Sequence, residues 1–293
     1  MSLQLPKGAR NLVFGVAAGS ALLLLSGCSV GTKDEWKRIA MPDPASAEGP
    51  GMLHLWQGAW IAAMVTGIVT WGLILYAVVR FRRRSEDEIP VQTRYNLPIE
   101  IFYTVAPIMM VIVFFFFTVQ EQDKVLKVVK DPDNVITAVG QQWSWTFNYN
   151  YNANANDFEG EEAGSPVVHE AGTPADPPTL WLPVDETVEV NLYSADVIHS
   201  FWVPAFLFKM DVFPGRDNHY VFTPTREGTY EGRCAELCGV YHSRMLFKVK
   251  VVSKSEYDAH LAALAKDSET NGPAVGGSEV NKQSGLEQNG ANE

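Results

Sequence analysis

The sequence predicts an α+β membrane protein in which a two-helix transmembrane hairpin precedes an exported β domain. Three observations lead to this prediction. Two long runs of residues lack charged side chains, a cluster of arginines lies between them, and short strand patterns fill much of the following chain. A length of 293 residues allows one or two domains, and the net charge of −11 argues against nucleic acid as a partner.

The first 27 residues have the order of a bacterial export signal. Lys7 and Arg10 precede an apolar stretch over residues 12–25, and two small residues precede Cys28. The segment Leu25-Ser-Gly-Cys28 resembles the lipobox of bacterial lipoproteins. We therefore predict a signal peptide over residues 1–27 and a lipid, such as palmitate, on Cys28. The alternative is an uncleaved membrane anchor with an incidental cysteine.

The uncharged runs at residues 55–79 and 101–119 predict membrane-spanning helices at about residues 55–79 and 99–119, since about 20 apolar residues cross a bilayer. They form a hairpin over residues 53–122, after an exported segment at 28–52. The arginine-rich connection at residues 80–84 belongs inside under the positive-inside rule. We therefore expect a multi-pass plasma-membrane protein whose large C-terminal domain lies on the extracytoplasmic side.

Residues 123–254 predict a β-sandwich or small barrel. Trp143, Trp145, Phe147 and Tyr149 alternate with polar residues, as in a half-buried strand. Further strand candidates are residues 188–192, 219–222, 228–233 and 245–252. The acidic stretch 152–178 is predicted to be an insertion between strands. Residues 255–293 comprise an amphipathic helix followed by a tail whose composition predicts disorder.

A cluster of metal-binding side chains occurs at Cys234-Ala-Glu-Leu-Cys238-Gly-Val-Tyr-His242-Ser-Arg-Met245, and His199 lies upstream. Thiolate, imidazole and thioether ligands together favour copper over hard cations. Two alternatives stay open from the residues alone. The cysteines of an exported protein often form a disulfide, and the Cys/His spacing is also close to that of zinc sites.

The same motif, preceded by Asp196-Val-Ile-His199-Ser-Phe, resembles the dinuclear copper (CuA) site of cytochrome c oxidase subunit II. Gly140-Gln-Gln-Trp143-Ser-Trp145 and the segment 209–216 resemble the same family, and the resemblance covers nearly the whole mature chain. It implies a cupredoxin-like domain within an oxidoreductase complex. In that complex, subunit II passes electrons from cytochrome c to haem in catalytic subunit I, where oxygen is reduced to water and protons are pumped.

The resemblance also implies copper ligands. Cys234 and Cys238 would bridge two copper ions, and His199 and His242 would each bind one. Met245 and the backbone carbonyl of Glu236 would be the weaker ligands.

Four further roles are implied by the resemblance. The Glu236 side chain would bind magnesium at the interface with the catalytic subunit, and Trp143 would receive electrons from cytochrome c. Asp196 would help to dock the donor's lysines, and Glu100 would stand at the mouth of a proton pathway. The alternatives are a solvated loop acid for Glu236, a place on a buried sheet face for Trp143, and an ordinary interfacial acid for Glu100. For Trp145, Phe147 and Tyr149 we predict only a buried sheet face.

Three features depart from the family pattern, namely Arg233, Arg244 and the acidic insertion. The sequence contains no Cys-x-x-Cys-His motif, so we expect the donor to be another protein, either a soluble or a membrane-tethered cytochrome c. Membrane lipid and other oxidase subunits are expected partners. Subunit II of quinol oxidases typically lacks the copper ligands that this chain has. The alternative function is an exported, membrane-anchored copper-binding or copper-delivery lipoprotein.

Overall fold

A computed structural model describes residues 33–85, 88–149, 168–216, 218–267 and 270. The chain divides into two units, residues 1–41 and residues 42–293. The described part of the first unit holds one short helix, α1 (Lys33–Arg38). The predicted signal peptide, Cys28, residues 152–167 of the acidic insertion and the tail beyond residue 270 lie outside the described residues.

Two long helices, α2 (Gly49–Arg80) and α3 (Leu97–Val125), contain the two uncharged runs. Both are long and apolar enough to cross a membrane, and the most apolar stretch of each has none of its residues buried within the protein. Helices that are apolar on all sides need lipid or another protein around them. Both extend beyond their predicted limits, because helical hydrogen bonding continues into the polar sequence that flanks each apolar run.

The second unit also holds a β domain, in which ten strands of the described chain form two five-stranded sheets. The first sheet has the order β3-β2-β1-β5-β8 and the second β4-β10-β9-β6-β7. Strands β1 and β5 are parallel, as are β4 and β10, and the other pairs are antiparallel. The strands are β1 (Asn134–Gln141), β2 (Ser144–Tyr149), β3 (Val168–Ala171), β4 (Thr179–Pro183), β5 (Val188–Ser194), β6 (His199–Val203), β7 (Phe208–Val212), β8 (Asn218–Phe222), β9 (Gly228–Cys234) and β10 (Leu246–Val252).

Aromatic side chains from both sheets form the centre of the core. The rings of Phe201 and Phe247 stack with centroids 4.9 Å apart, and the Trp145 ring meets both edge-on at 5.7 and 5.5 Å. Phe147 packs against Phe247 at 5.4 Å. All four side chains are fully buried, which confirms the prediction that Trp145 and Phe147 belong to a buried sheet face.

The structure corrects three expectations about the β domain. Both faces of β2 are buried, whereas its alternating pattern predicted one solvated face. The predicted insertion 152–178 is not wholly irregular, because Val168–Ala171 forms β3 and pairs with β2. The C-terminal helix α4 spans Lys254–Leu264 and begins one residue earlier than expected, with the Ser253 side chain accepting a hydrogen bond from the Glu256 N–H.

Candidate metal centre

The candidate ligands meet at one end of the second sheet. His199 is the first residue of β6 and Cys234 is the last residue of β9. These strands are antiparallel with Phe201 opposite Cys234, so their pairing brings His199 and Cys234 to the same sheet end. The loop from β9 to β10 carries Cys238 and His242 and returns to the core at Met245, whose carbonyl accepts a hydrogen bond from the Cys234 N–H.

The five candidate ligand side chains form a continuous series of contacts. The Sγ atoms of Cys234 and Cys238 are 3.9 Å apart. His199 Nδ1 lies 3.9 Å from Cys234 Sγ, and His242 Nδ1 lies 3.5 Å from Cys238 Sγ. Met245 Sδ lies 3.7 Å from Cys238 Sγ. The structure thus brings together every side chain that the sequence proposed as a copper ligand.

These distances suit a metal centre. A metal–thiolate bond measures about 2.3 Å, so one ion can contact two sulfur atoms up to about 4.6 Å apart. The ligand atoms of His199, Cys234 and Cys238 all lie within 4.8 Å of one another, close to that limit. Both cysteines are free thiols, so the structure contains no disulfide between them. The fully buried Met245 adds a thioether, which suits copper better than zinc.

Asp196 fixes the orientation of the His199 ring. Its carboxylate accepts a hydrogen bond from His199 Nε2 at 2.8 Å, which leaves Nδ1 to face Cys234. Metal-binding histidines commonly donate their second N–H to a carboxylate in this way. Burial alone would lower the pKa of His199, but its hydrogen bonds to Asp196 and Cys234 outweigh burial and raise that pKa.

Asp196 also holds the turn between β1 and β2. Its oxygens accept hydrogen bonds from the backbone N–H groups of Gln142 at 2.7 Å and Val197 at 2.6 Å. Burial opposes ionisation of this carboxyl, but the hydrogen bonds prevail and lower its pKa. Only 18% of the side chain is exposed, and both oxygens have partners within the protein. A role of Asp196 in donor docking therefore stays a prediction.

The two thiols have opposite pKa shifts. The Cys234 pKa is lowered to about 3, chiefly by its hydrogen bond to the Cys238 thiol; burial opposes this shift, and the hydrogen bond to His199 adds to it. The Cys238 pKa is raised, first by its hydrogen bond to Cys234, then by burial and by repulsion from a charged Cys234 thiolate. A bound cation would offset this repulsion and favour the thiolate form of both cysteines.

Trp143 and Gln142 contact the ligand loop from the first sheet. The Trp143 indole N–H donates to the Cys238 carbonyl at 3.1 Å, and Gln142 Nε2 donates to the same oxygen at 2.6 Å. Gly239 permits this approach, because a Cβ at that position would lie 3.0 Å from the Trp143 ring and the backbone has a φ of +123°. The partly buried Trp143 is thus joined to a candidate ligand by one hydrogen bond.

Two other predicted site residues have different surroundings. The Glu236 carbonyl faces the site and accepts from Cys234 Sγ at 3.2 Å, while the Glu236 side chain is exposed. Glu100 lies in the first turn of α3, far along the chain from the cluster. Its carboxylate accepts a hydrogen bond from the Asn96 N–H at 2.8 Å and so completes a helix cap.

The sequence did not indicate two further contacts at the site. Gln142 belongs to the matched segment Gly140–Trp145, but its bond to Cys238 depends on the conformation of the turn. Tyr241 packs edge-on against Trp143 with centroids 5.1 Å apart. Neither residue type carries a metal-binding signal, so only the fold shows that they adjoin the centre.

Comparisons with known proteins agree with this geometry. Residues 34–120 match the family described as cytochrome C oxidase subunit II, transmembrane domain, and residues 134–252 match its periplasmic domain. A probable cytochrome c oxidase subunit 2 of Streptomyces avermitilis is 44% identical, with 96% of this chain and 95% of the relative covered. Cytochrome c oxidase subunit 2 of Corynebacterium glutamicum is 34% identical, with 86% and 84% covered.

Among solved structures, the periplasmic domain of subunit II of cytochrome oxidase of Bradyrhizobium japonicum is similar, at 29% identity and a TM-score of 0.40. That likeness covers 47% of this chain and 98% of that domain. The family matches and the relatives extend over both the helical hairpin and the β domain. This chain therefore belongs to the cytochrome c oxidase subunit II family.

Proposed function

We propose that the cluster holds two copper ions as a CuA centre and relays electrons from a cytochrome c to haem in catalytic subunit I. The complex is an oxidoreductase, in which oxygen is reduced to water and protons are pumped. This proposal rests on one observation: two thiols, two imidazoles and a thioether lie together at one end of the second sheet. Membership of the subunit II family supplies the context.

The residues of the site would bind and orient the ions and exclude water. Cys234, Cys238, His199 and His242 would hold the ions, with Met245 and the Glu236 carbonyl as weaker ligands. When bound, the copper pair supplies a one-electron redox couple. Burial of both thiols and of His199 excludes water from these ligands, and Asp196 keeps the His199 ring in one orientation.

Trp143 is the proposed residue through which electrons reach the centre. Its ring is partly exposed, and its N–H contacts the carbonyl of the ligand Cys238 at 3.1 Å. Both properties support a route from the protein surface into the ligand set, with one hydrogen bond between the ring and the backbone of a ligand.

The exposed side chain of Glu236 is the proposed magnesium ligand. Its carbonyl faces the copper ligands while its carboxylate points away to the surface, where subunit I would supply further oxygen ligands. A carboxylate suits this hard cation. Glu100 at the start of α3 is the proposed entrance to a proton pathway. Its hydrogen bond to Asn96 also gives it a structural role that needs no proton transfer.

The protein is a membrane protein with an extracytoplasmic C-terminal domain, as its two apolar helices and its family indicate. We propose in addition that residues 1–27 are a signal peptide and that Cys28 carries a lipid. A copper-delivery lipoprotein, the alternative function, is not favoured, because the matched family includes both the hairpin and the copper domain.

Cysteine substitutions in the assembled oxidase test the proposed function. Cys234→Ser and Cys238→Ser should each abolish the dinuclear copper signal and cytochrome c oxidation, because the site loses one of its two thiolates. Cys28→Ser is the matched control, and it should lose the lipid while keeping the copper signal and the activity. Full cytochrome c oxidation in the Cys238→Ser enzyme would contradict the proposal.

A further inference from the structure

We propose that Tyr241 is the outer contact residue through which the electron donor reaches Trp143, and that Arg244 is a positioning residue for Tyr241. The inference rests on the proposed function, and it adds the place on the surface where the donor makes contact. It concerns two residues of the ligand loop that bind no metal themselves.

Arg244, Tyr241 and Trp143 form a continuous series of contacts from the surface to the ligand set. The Arg244 guanidinium carbon lies 5.5 Å from the centre of the Tyr241 ring, within the range of a cation–π contact. The Tyr241 ring meets the Trp143 ring at 5.1 Å and 87°, an edge-to-face contact. Trp143 then donates its hydrogen bond to the Cys238 carbonyl at 3.1 Å. Each step joins neighbouring groups without a gap.

The backbone of the loop supports the same arrangement. Residues 242–244 form a short 3₁₀ turn, in which the Arg244 N–H donates to the Tyr241 carbonyl at 2.8 Å. This bond sets Arg244 and Tyr241 on neighbouring positions of one turn. The guanidinium therefore lies over the same Tyr241 ring that contacts Trp143.

Tyr241 belongs to an apolar patch on the outside of the ligand loop, formed by Leu237, Val240 and Tyr241. Their exposed fractions are 78%, 84% and 41%. Adjacent exposed apolar side chains on a short loop indicate an interaction surface, and aromatic and arginine residues are enriched at interfaces. The patch fits a donor whose haem edge is ringed by apolar side chains, with a carboxylate opposite Arg244.

The proposed electron transfer is balanced. The reduced haem protein loses one electron and is oxidised, and the copper pair is reduced by that electron. Tyr241 and Trp143 act only as the medium between them, so neither ring is oxidised and no proton moves. The Tyr241 hydroxyl is therefore not needed, and phenylalanine should replace tyrosine without loss.

Two measurements on the full-length protein in detergent test the role of Tyr241. The first is the affinity of the metal-free protein for ferrous mitochondrial-type cytochrome c, which involves no electron transfer. The second is the bimolecular rate at which the same cytochrome reduces the copper-loaded protein. Tyr241→Leu should weaken binding and slow reduction about tenfold, as expected for an aromatic interface anchor. Tyr241→Phe should keep wild-type values in both.

Arg244→Gln should give a smaller loss in both measurements, because the ring remains but is held less firmly. Arg226→Gln is the matched control, since Arg226 lies over the Tyr230 ring in a similar contact near the opposite end of β9. The control should leave binding and reduction unchanged. Equal effects of Arg244→Gln and Arg226→Gln would overturn the positioning role.

Trp143→Phe separates this inference from the proposed function. If Trp143→Phe slows reduction but Tyr241→Leu changes neither affinity nor rate, the role of Tyr241 is wrong and that of Trp143 stands. If neither substitution slows reduction and the copper spectrum is intact, both roles are wrong. Failure of the wild-type protein to bind or accept electrons from the cytochrome would overturn the inference together with the proposed donor.

Discussion

Removing the Asp196 carboxylate should weaken copper binding without removing any ligand. The carboxylate accepts three hydrogen bonds, from His199 Nε2 at 2.8 Å and from the backbone N–H groups of Gln142 and Val197 at 2.7 and 2.6 Å. Asp196→Ala leaves all three donors without this partner and frees the His199 ring to rotate. Loss of such an outer carboxylate lowers metal affinity about 10- to 100-fold.

Asp196→Asn should have a smaller effect. The amide oxygen can still accept from His199, but the NH₂ group cannot accept from a backbone N–H. At least one partly buried donor then loses its partner, at about 1–3 kcal/mol of folding free energy. Glu231→Gln, an exposed change on the strand leading to Cys234, is the control and should alter neither stability nor copper affinity.

The stability difference between Asp196 and its Asn variant should depend on pH. The folded-state pKa of Asp196 is lowered, so its stabilisation is fully present above the unfolded value of about 3.9 and is lost as pH falls through the folded value. The assay is competition for copper against a chelator of known affinity, with denaturant unfolding of the metal-free protein at several pH values. Copper affinity of Asp196→Ala equal to that of the wild type would refute the reasoning.

Three further substitutions give distinct outcomes. Gly232→Ala should destabilise the protein by about 1–3 kcal/mol, because the new Cβ would lie 2.1 Å from the buried Phe247 ring. Gly58→Ala is the control, since its Cβ would meet nothing within 4 Å. Equal thermal midpoints for the two variants would contradict this prediction. Burial raises the pKa of Glu48 in the folded protein above 4.5. The protonated side chain therefore stabilises the fold at low pH, and this stabilisation is lost as pH rises through the folded-state pKa. Glu48→Gln should therefore gain thermal stability relative to the wild type between pH 4 and 7, and a constant difference would count against it. Met245→Leu should retain copper but shift its reduction potential, measured by redox titration, and an unchanged potential would argue against Met245 as a ligand.

The helices were predictable from composition, but their ends were not. An uncharged run marks where the chain can cross lipid, whereas a helix ends where its backbone hydrogen bonds end. Thus α3 continues past residue 119 to Val125 through the polar sequence Gln-Glu-Gln-Asp-Lys. The family fold was predictable through motif resemblance, and the helical hairpin and β domain bear it out.

The strands were harder to predict. An alternating pattern identified β2, but β1, in the same sheet, has nearly every residue buried and shows no alternation. A strand with both faces covered needs no period of two, although β2, which is also buried on both faces, alternates. Strands β4, β6 and β7, of five residues each, were not among the strand candidates, although the equally short β8 was.

At the metal centre, the sequence indicated the ligands but not the groups that orient them. Ligand chemistry depends on residue type and spacing, so Cys234, Cys238, His242 and Met245 could be named from one motif. The inward orientation of Asp196 depends on the turn before Trp143, which brings the Gln142 N–H to its carboxylate. A single sequence does not specify that backbone conformation.

The metal content of the purified protein tests the central claim most directly. Copper should be quantified per chain, and the electron paramagnetic resonance spectrum should be recorded on the same sample. The CuA proposal predicts two copper ions per chain and one unpaired electron with hyperfine splitting from two equivalent copper nuclei. A single copper ion with an ordinary mononuclear spectrum, bound zinc, or a Cys234–Cys238 disulfide with no metal would contradict it.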